Sequence, residues 1–277
     1  METTQKIRKN YINQKGQIYQ EYNIDNSNYW NSLWSKYSDK EIKRLAEINK
    51  NKNDLIVKIT KKYLKKNSSI IEAGCGLGQE VFKLENAGFD VTGIDYDEGL
   101  IERLNRLYPN TEFLKSDVSN LSNINQKFDG YWSFGVIEHF IDGYDEIANQ
   151  ANKALNDEGY SFVIVPSMNY LSSLKKMFNV YQKKEPAKNL FHQFILDIKQ
   201  VRNVFEKNGF QFVEKQNMTG SLGASREISM PKIFTSRSKI KLIRGLWWML
   251  NPFLSNFTWH TSLVVFKKIS NPHSSKF

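Results

Sequence analysis

Ile70-Ile71-Glu72-Ala73-Gly74-Cys75-Gly76-Leu77-Gly78-Gln79 carries an apolar strand into a run of glycines and straight on into a helical pattern. Glycine accepts backbone angles closed to other residues and adds no side-chain bulk, so such a loop lets a ligand approach amide groups and a helix N-terminus. The flanking sequence keeps the same rhythm. Ser69–Ala73 reads as a strand, Gln79–Ala87 as a helix closed by Gly88, and Phe89–Ile94 as a second strand. A helix over Asp97–Leu107 halted by Pro109, a strand over Thr111–Lys115, and a strand over Phe128–Phe134 follow. Then come a helix over Asp142–Leu155 and a strand over Tyr160–Val165, ended by Pro166. Short apolar runs alternating with helices specify an α/β fold with a doubly wound parallel sheet. Further on, Ile198–Lys207 reads as a helix, and Phe210–Glu214 and Ser262–Lys268 as strands able to pair antiparallel.

The glycine loop alone does not name its ligand. Dinucleotide sites use G-x-G-x-x-G, and here Gln79 occupies the third glycine position, which argues against a nicotinamide cofactor. More informative is the company of Asp95, which ends the second strand where a carboxylate can accept both hydroxyls of a ribose, and of Asp117 after the third strand. With Glu72, three acidic strand ends surround one crevice. Each of them could instead cap a helix or be solvated, and the glycines could simply turn the chain.

Four segments together, Ile71–Gly78, Gly93-Ile94-Asp95-Tyr96-Asp97, Ser116-Asp117-Val118 and Trp132–His139, resemble the successive motifs of class I S-adenosylmethionine-dependent methyltransferases over about residues 67–166. The resemblance implies a Rossmann-like, seven-stranded sheet whose last strand is antiparallel, and S-adenosylmethionine (SAM) as cofactor. It implies that Gly74, Cys75, Gly76 and Gly78 receive the methionine part with Glu72 near its amino group. Asp95 would hold the ribose, Tyr96 and Val118 would flank the adenine, Asp117 would accept from the adenine amino group, and Phe134 would close the same pocket. Cys75 is expected to pack and not to act as a nucleophile.

Chemistry varies at the end of the fourth strand, where Phe134-Gly135-Val136-Ile137-Glu138-His139-Phe140 stands. The Asn/Asp-Pro-Pro-aromatic sequence usual in methylation of exocyclic base nitrogens is absent, and Glu-His resembles small-molecule methyltransferases. Gly135 occupies the place of the first carboxylate in the metal-binding Glu-x-x-Glu-His pattern, so no metal site is expected. His139 is the first candidate for a base that takes a hydroxyl proton, Glu138 its partner or a substrate anchor, and His192 a second candidate. All three could equally brace the loops around them.

Composition sets the outer limits. In 277 residues, 40% hydrophobic and 25% charged residues describe a folded chain and exclude wholesale disorder. One cysteine excludes a disulfide scaffold or a thiolate zinc module. The first twenty residues contain no continuous apolar stretch, so the expected location is the cytoplasm. Net charge is +10 and unevenly spread: residues 1–66 carry 15 Lys and Arg against 7 Asp and Glu, residues 67–165 carry 6 against 17, and residues 166–277 carry 18 against 5. An acidic centre is an awkward track for a phosphate backbone, so nucleic acid is an unlikely partner, with an RNA methyltransferase using the basic flanks as the alternative enzyme. A non-catalytic cofactor-binding scaffold is the alternative outside enzymes.

The expected division is an aromatic and basic arm with a helix over Asp39–Lys66 in residues 1–66, a cofactor-binding core in 67–166, and lid insertions with the closing helix and strands in 167–277. Basic residues in Leu171–Lys188 and Ser236–Arg244 would welcome an anionic acceptor. Leu246–Leu250 and Pro252–Phe257 could wall an acceptor pocket or touch a bilayer interface, giving possible peripheral membrane contact through 240–257. The expected activity is methyl transfer to a small organic acceptor, a hydroxyl of a saccharide or of a lipid-linked intermediate.

Overall fold

The computed structural model describes residues 8–22, 29–50, 54–219, 240–254 and 256–269. Its main sheet has seven strands: β3 (Ser69–Ala73), β4 (Asp90–Asp95), β5 (Glu112–Lys115), β6 (Phe128–Phe134), β7 (Leu155–Pro166), β10 (Phe210–Met218) and β11 (Thr261–Lys268), in the order β10-β11-β7-β6-β3-β4-β5. β11 lies antiparallel between β7 and β10, while the β3–β7 strands pair parallel, as the sequence suggested. Parallel strands need crossovers, supplied here by helices α4 (Gln79–Asn86), α5 (Glu98–Leu107) and α6 (Asp145–Ala154). The side chain of Asp97 caps α5 by accepting from Leu100 N at 3.0 Å, which fixes the turn after β4.

Apolar side chains fill both faces of the sheet. Ile71, Ile94, Tyr131, Val163, Phe205 and Phe266 belong to one cluster, and Ile70, Val81, Leu104, Trp132, Phe162 and Leu263 to the other. Trp132 is fully buried, stacked between Phe134 and Phe162 at 4.6 Å to each ring, and donates its indole N–H to Thr60 Oγ1 at 3.1 Å. That bond ties α3 (Leu55–Tyr63) onto the sheet.

The N-terminal region differs from the sequence reading in two ways. The expected single helix over Asp39–Lys66 is two helices, α2 (Asp39–Lys50) and α3. Asp54 starts the second by accepting from Ile56 N at 3.0 Å, and its other oxygen pairs with the buried Lys83 at 2.7 Å. Residues read only as an arm form a hairpin, β1 (Arg8–Ile12) and β2 (Ile18–Tyr22), followed by the short helix α1 (Tyr29–Trp34). The hairpin pairs with β8 (Gln182–Lys183) and β9 (Phe191–Ile195) in a second sheet of order β8-β1-β2-β9. Tyr19 is fully buried there, stacked on Tyr11 at 5.7 Å and donating to Lys184 O at 3.0 Å. Glu21 fastens the same segment through Lys184 Nζ and through Ala187 N at 3.0 Å.

Two further boundaries move. α6 starts three residues later than Asp142, and β7 takes in Leu155, read as the end of the helix, and Asn156–Gly159, which the sequence left between helix and strand. α7 (Tyr170–Met177), α8 (Ile198–Lys207) and α9 (Lys241–Leu254) complete the described helices. Arg237 and Lys239, two of the basic lid residues, lie outside the described residues, as do the side chains of Arg244 and Trp248.

Candidate functional site

A cleft of about 510 Å³ opens at the carboxyl ends of β3, β4, β5 and β6, a size suited to a nucleoside-sized ligand. Switch points of parallel sheets form crevices at this edge because neighbouring loops turn to opposite faces. Glu72, Gly74, Cys75, Gly76, Asp95, Tyr96, Asp117, Val118, Phe134 and His139 line it. Gly78, Glu138 and His192, also expected at the site, do not.

The glycine loop is held from within. Gly74 N and Cys75 N both donate to Ile94 O, at 2.9 and 2.8 Å, Gly78 N to Cys75 O at 2.9 Å, and Gly76 N to Asp95 Oδ2 at 3.0 Å. These four amides are committed inside the protein, so the loop offers a ligand shape more than donors, contrary to what glycine alone suggested. The shape does require glycine. Gly74 and Gly78 have φ of 77° and 71°, and a Cβ at Gly74 would stand 2.6 Å from Val136 Cγ2, one at Gly78 2.9 Å from Phe113 Cζ. Gly78 therefore packs behind the loop, starting α4, instead of facing the cleft.

Two carboxylates flank the loop differently. Asp95 accepts from Gly76 N on Oδ2 and from Asp97 N at 3.1 Å on Oδ1. Each oxygen keeps acceptor capacity for a hydroxyl. Burial raises its pKa, and those amide bonds oppose the rise. Glu72 is 2% exposed, and its Oε2 has no hydrogen-bond partner among the described residues. Burial, then the nearby Glu80 carboxylate, pushes its pKa well above the usual range. A cationic group docking beside it would relieve that strain.

The remaining lining is apolar and polar by turns. Tyr96 is half exposed and donates to Asn31 Oδ1 at 3.2 Å, with burial lifting its pKa to about 12. Asp117 closes its own turn, accepting from Ser119 N at 2.8 Å and Ser119 Oγ at 2.7 Å. Val118 is buried beneath it. Cys75 is buried, and burial raises its pKa far above the thiol range, so it is present as the inert thiol.

At the end of β6 a 3-10 turn, Ile137–His139, swings His139 into the cleft. His192 stands in β9 at a bulge, where the register slips from Gln20–Gln193 to Glu21–Phe191 and leaves it the extra residue. Its carbonyl lies 2.6 Å from His139 Nδ1. A carbonyl can only accept, so Nδ1 carries the proton, and in a neutral ring Nε2 would be the acceptor nitrogen. The His192 ring is 5% exposed, packed 4.6 Å from Tyr22 and 5.1 Å from His139, so it braces His139 from behind. Glu138 is likewise enclosed, with Oε1 3.9 Å from His139 Nε2, and burial lifts its pKa to about 8.

Sequence reasoning missed the contribution of α1. Trp30 meets His139 edge-on at 4.9 Å and stacks on Trp34 at 5.6 Å, and Trp34 lies over Gly76. Both tryptophans line the cleft, as do Gln79, Ser116 and Phe140. The aromatic density of residues 22–37 was the available signal.

The donor set suits SAM: a buried, unpartnered Glu72 oxygen for a cationic amino group, two acceptor oxygens of Asp95 for a diol, and a glycine loop shaped to let the ligand between them. Comparisons with known proteins agree. A family model described as a methyltransferase domain matches residues 37–215. A probable SAM-dependent methyltransferase of Mycolicibacterium smegmatis is 24% identical over 142 residues, 51% of this chain and 51% of that protein. An uncharacterized methyltransferase of Oceanobacillus iheyensis is 27% identical over 151 residues, 53% of this chain and 71% of that protein. The aligned region thus spans about half the length of the mycobacterial relative. Among solved structures, a SAM-dependent methyltransferase from Methanosarcina mazei superposes with a TM-score of 0.53 at 14% identity, covering 77% of this chain and 98% of that one. A TehB-like SAM-dependent methyltransferase from Corynebacterium glutamicum gives 0.50 at 18% identity, covering 82% and 95%. These two show the fold. The chain belongs to the methyltransferase-domain family, and its Rossmann-like architecture and cofactor are those of the class I SAM-dependent methyltransferases.

Proposed function

We propose that the protein methylates a hydroxyl of a small organic acceptor, a saccharide or a lipid-linked intermediate, with His139 as general base. When bound, SAM supplies an electrophilic methyl group on a sulfonium, open to in-line displacement. Glu72 would hold its amino group and Asp95 its ribose hydroxyls. The residues of the chain then have three tasks: to align the acceptor oxygen, to exclude water, and to take up the hydroxyl proton.

The observation that carries this reading is the bond from His139 Nδ1–H to His192 O at 2.6 Å. It assigns the basic lone pair to Nε2 of a ring that lines the cleft. His139 Nε2 would take the hydroxyl proton as the acceptor oxygen gains the methyl group, so that the oxygen would not be left cationic. Glu138 is held neutral at pH 7 by burial and so does not lock the imidazole in its cationic form. Trp30 and Trp34 roof the space beside His139 and limit water there.

The test is incubation with methyl-labelled SAM and fractionated cell extract. An alkali-stable, ether-linked label formed by the unmodified protein, and reduced about 10²-fold or more by His139→Ala with SAM affinity unchanged, is the expected result. Undiminished labelling by His139→Ala would remove the base from the mechanism.

A further inference from the structure

Two helices, α7 and α9, turn apolar stripes outward. In α9, Leu242, Leu246, Met249 and Phe253 recur at i, i+4, i+7 and i+11, one face of a helix. On a protein surface that face normally points inward. Here it is the solvent side: Leu242 is 81% and Phe253 65% exposed, and Leu250 and Phe257 are exposed beside them. α7 repeats the pattern, with Tyr170, Leu174 and Met177 at i, i+4 and i+7, then Phe178 and Val180, all exposed.

Topology brings the two helices to one place. α7 leaves the end of β7, and α9 returns to the start of the antiparallel β11, both at the carboxyl edge that holds the cleft. Asn169 Nδ2 donates to Trp259 O at 2.7 Å, Ser167 N to His260 O at 3.0 Å, and Tyr170 packs edge-on against Trp259 at 5.2 Å, so the two connections are tied together.

We propose that these stripes form one docking face for an anionic lipid bilayer, which would present the cleft to acceptors at the membrane surface. Charge selects this occupant. α7 and α9 contain no acidic residue, Lys175 and Lys176 directly follow Leu174 in α7, and Lys241 directly precedes Leu242 in α9. Each lysine or arginine near an anionic leaflet favours binding by about 1 kcal/mol. A second copy of this surface would bring like charges together. At 14 residues α9 is about 21 Å long, shorter than a hydrocarbon core, and among the described residues no helix is long and apolar enough to cross a membrane. An apolar face rimmed by cations on such a helix lies in the interface plane.

The full chain is floated with phosphatidylcholine vesicles and with vesicles of phosphatidylcholine and phosphatidylglycerol. It should rise with the second at least about tenfold more than with the first. Leu246→Asp with Met249→Asp, or Leu174→Asp with Met177→Asp, should abolish flotation. SAM affinity, measured separately by calorimetry, should not change in either variant, which keeps this test apart from the methyltransferase reading. Failure of the unmodified chain to float, or undiminished flotation of both variants, would overturn the proposal. So would a dimer in light scattering that the substitutions dissociate, without vesicle binding.

Discussion

Glu138→Gln should stabilise the chain, and by an amount that grows with pH. The carboxyl is 2% exposed, its Oε2 has no hydrogen-bond partner among the described residues, and burial lifts its pKa from 4.5 to about 8. Unfolded, the same carboxyl ionises near its ordinary value. From about pH 4.5 to 8 the folded state keeps a proton that the unfolded state has released, so stability is highest below this window and falls as pH rises through it. At about 1.4 kcal/mol per pH unit, the cost is about 3 kcal/mol at pH 7 and levels off at about 5 kcal/mol above pH 8. Glutamine has the same shape, resembles the protonated acid in donating and accepting, and never ionises. Urea unfolding of both proteins without ligand, at pH 5.5 and 7.5, should show the gap between them widening by about 3 kcal/mol over those two units. A gap that does not change with pH would refute the claim that Glu138 folds as a neutral acid.

Other expectations follow from the same site. Asp95→Ala removes two charge-assisted acceptors and should weaken SAM binding by about 10²-fold in calorimetry; unchanged affinity would take Asp95 out of the ribose role. Gly78→Ala places a Cβ 2.9 Å from Phe113 Cζ at a φ of 71°. It should cost about 2–4 kcal/mol and lower the thermal midpoint by about 5–10 °C, and an unchanged midpoint would contradict the loop geometry. Trp30→Ala should leave the fold intact while lowering methyl transfer more than cofactor affinity, read from single-turnover labelling against calorimetry; equal losses in both would place Trp30 on the cofactor instead of the acceptor side.

The glycine loop, Asp95 and the parallel strands were legible because each is specified by its immediate neighbours: a strand, a turn that only glycine can make, and a carboxylate at the next strand end. The second sheet was not. β2 finds its partner β9 about 170 residues later in the chain, and no local pattern in Ile18–Tyr22 announces that pairing. The role of His192 was hidden for the same reason, since its carbonyl reaches His139 only because a bulge forms against β2. The break between α2 and α3 did have a local signal in Asp54, a residue suited to capping, within a stretch whose helical periodicity ran on around it. Glu138 shows the opposite limit: adjacency to His139 suggested a working pair, whereas only the packed structure reveals an enclosed carboxyl whose Oε2 has no hydrogen-bond partner among the described residues. For α9 the apolar spacing was plain in sequence, but which side faces solvent depends on the whole fold.

The central claim is that the cleft takes SAM with its amino group on Glu72, and a calorimetric titration in buffers of different ionisation enthalpy tests it most directly. Burial keeps a proton on Glu72 above its usual range, and a docked ammonium would favour the ionised form. Binding should therefore be one-to-one and accompanied by proton release from Glu72, making the observed heat depend on the buffer, a dependence that Glu72→Gln removes. Absence of binding, or a buffer dependence that Glu72→Gln leaves intact, would contradict it.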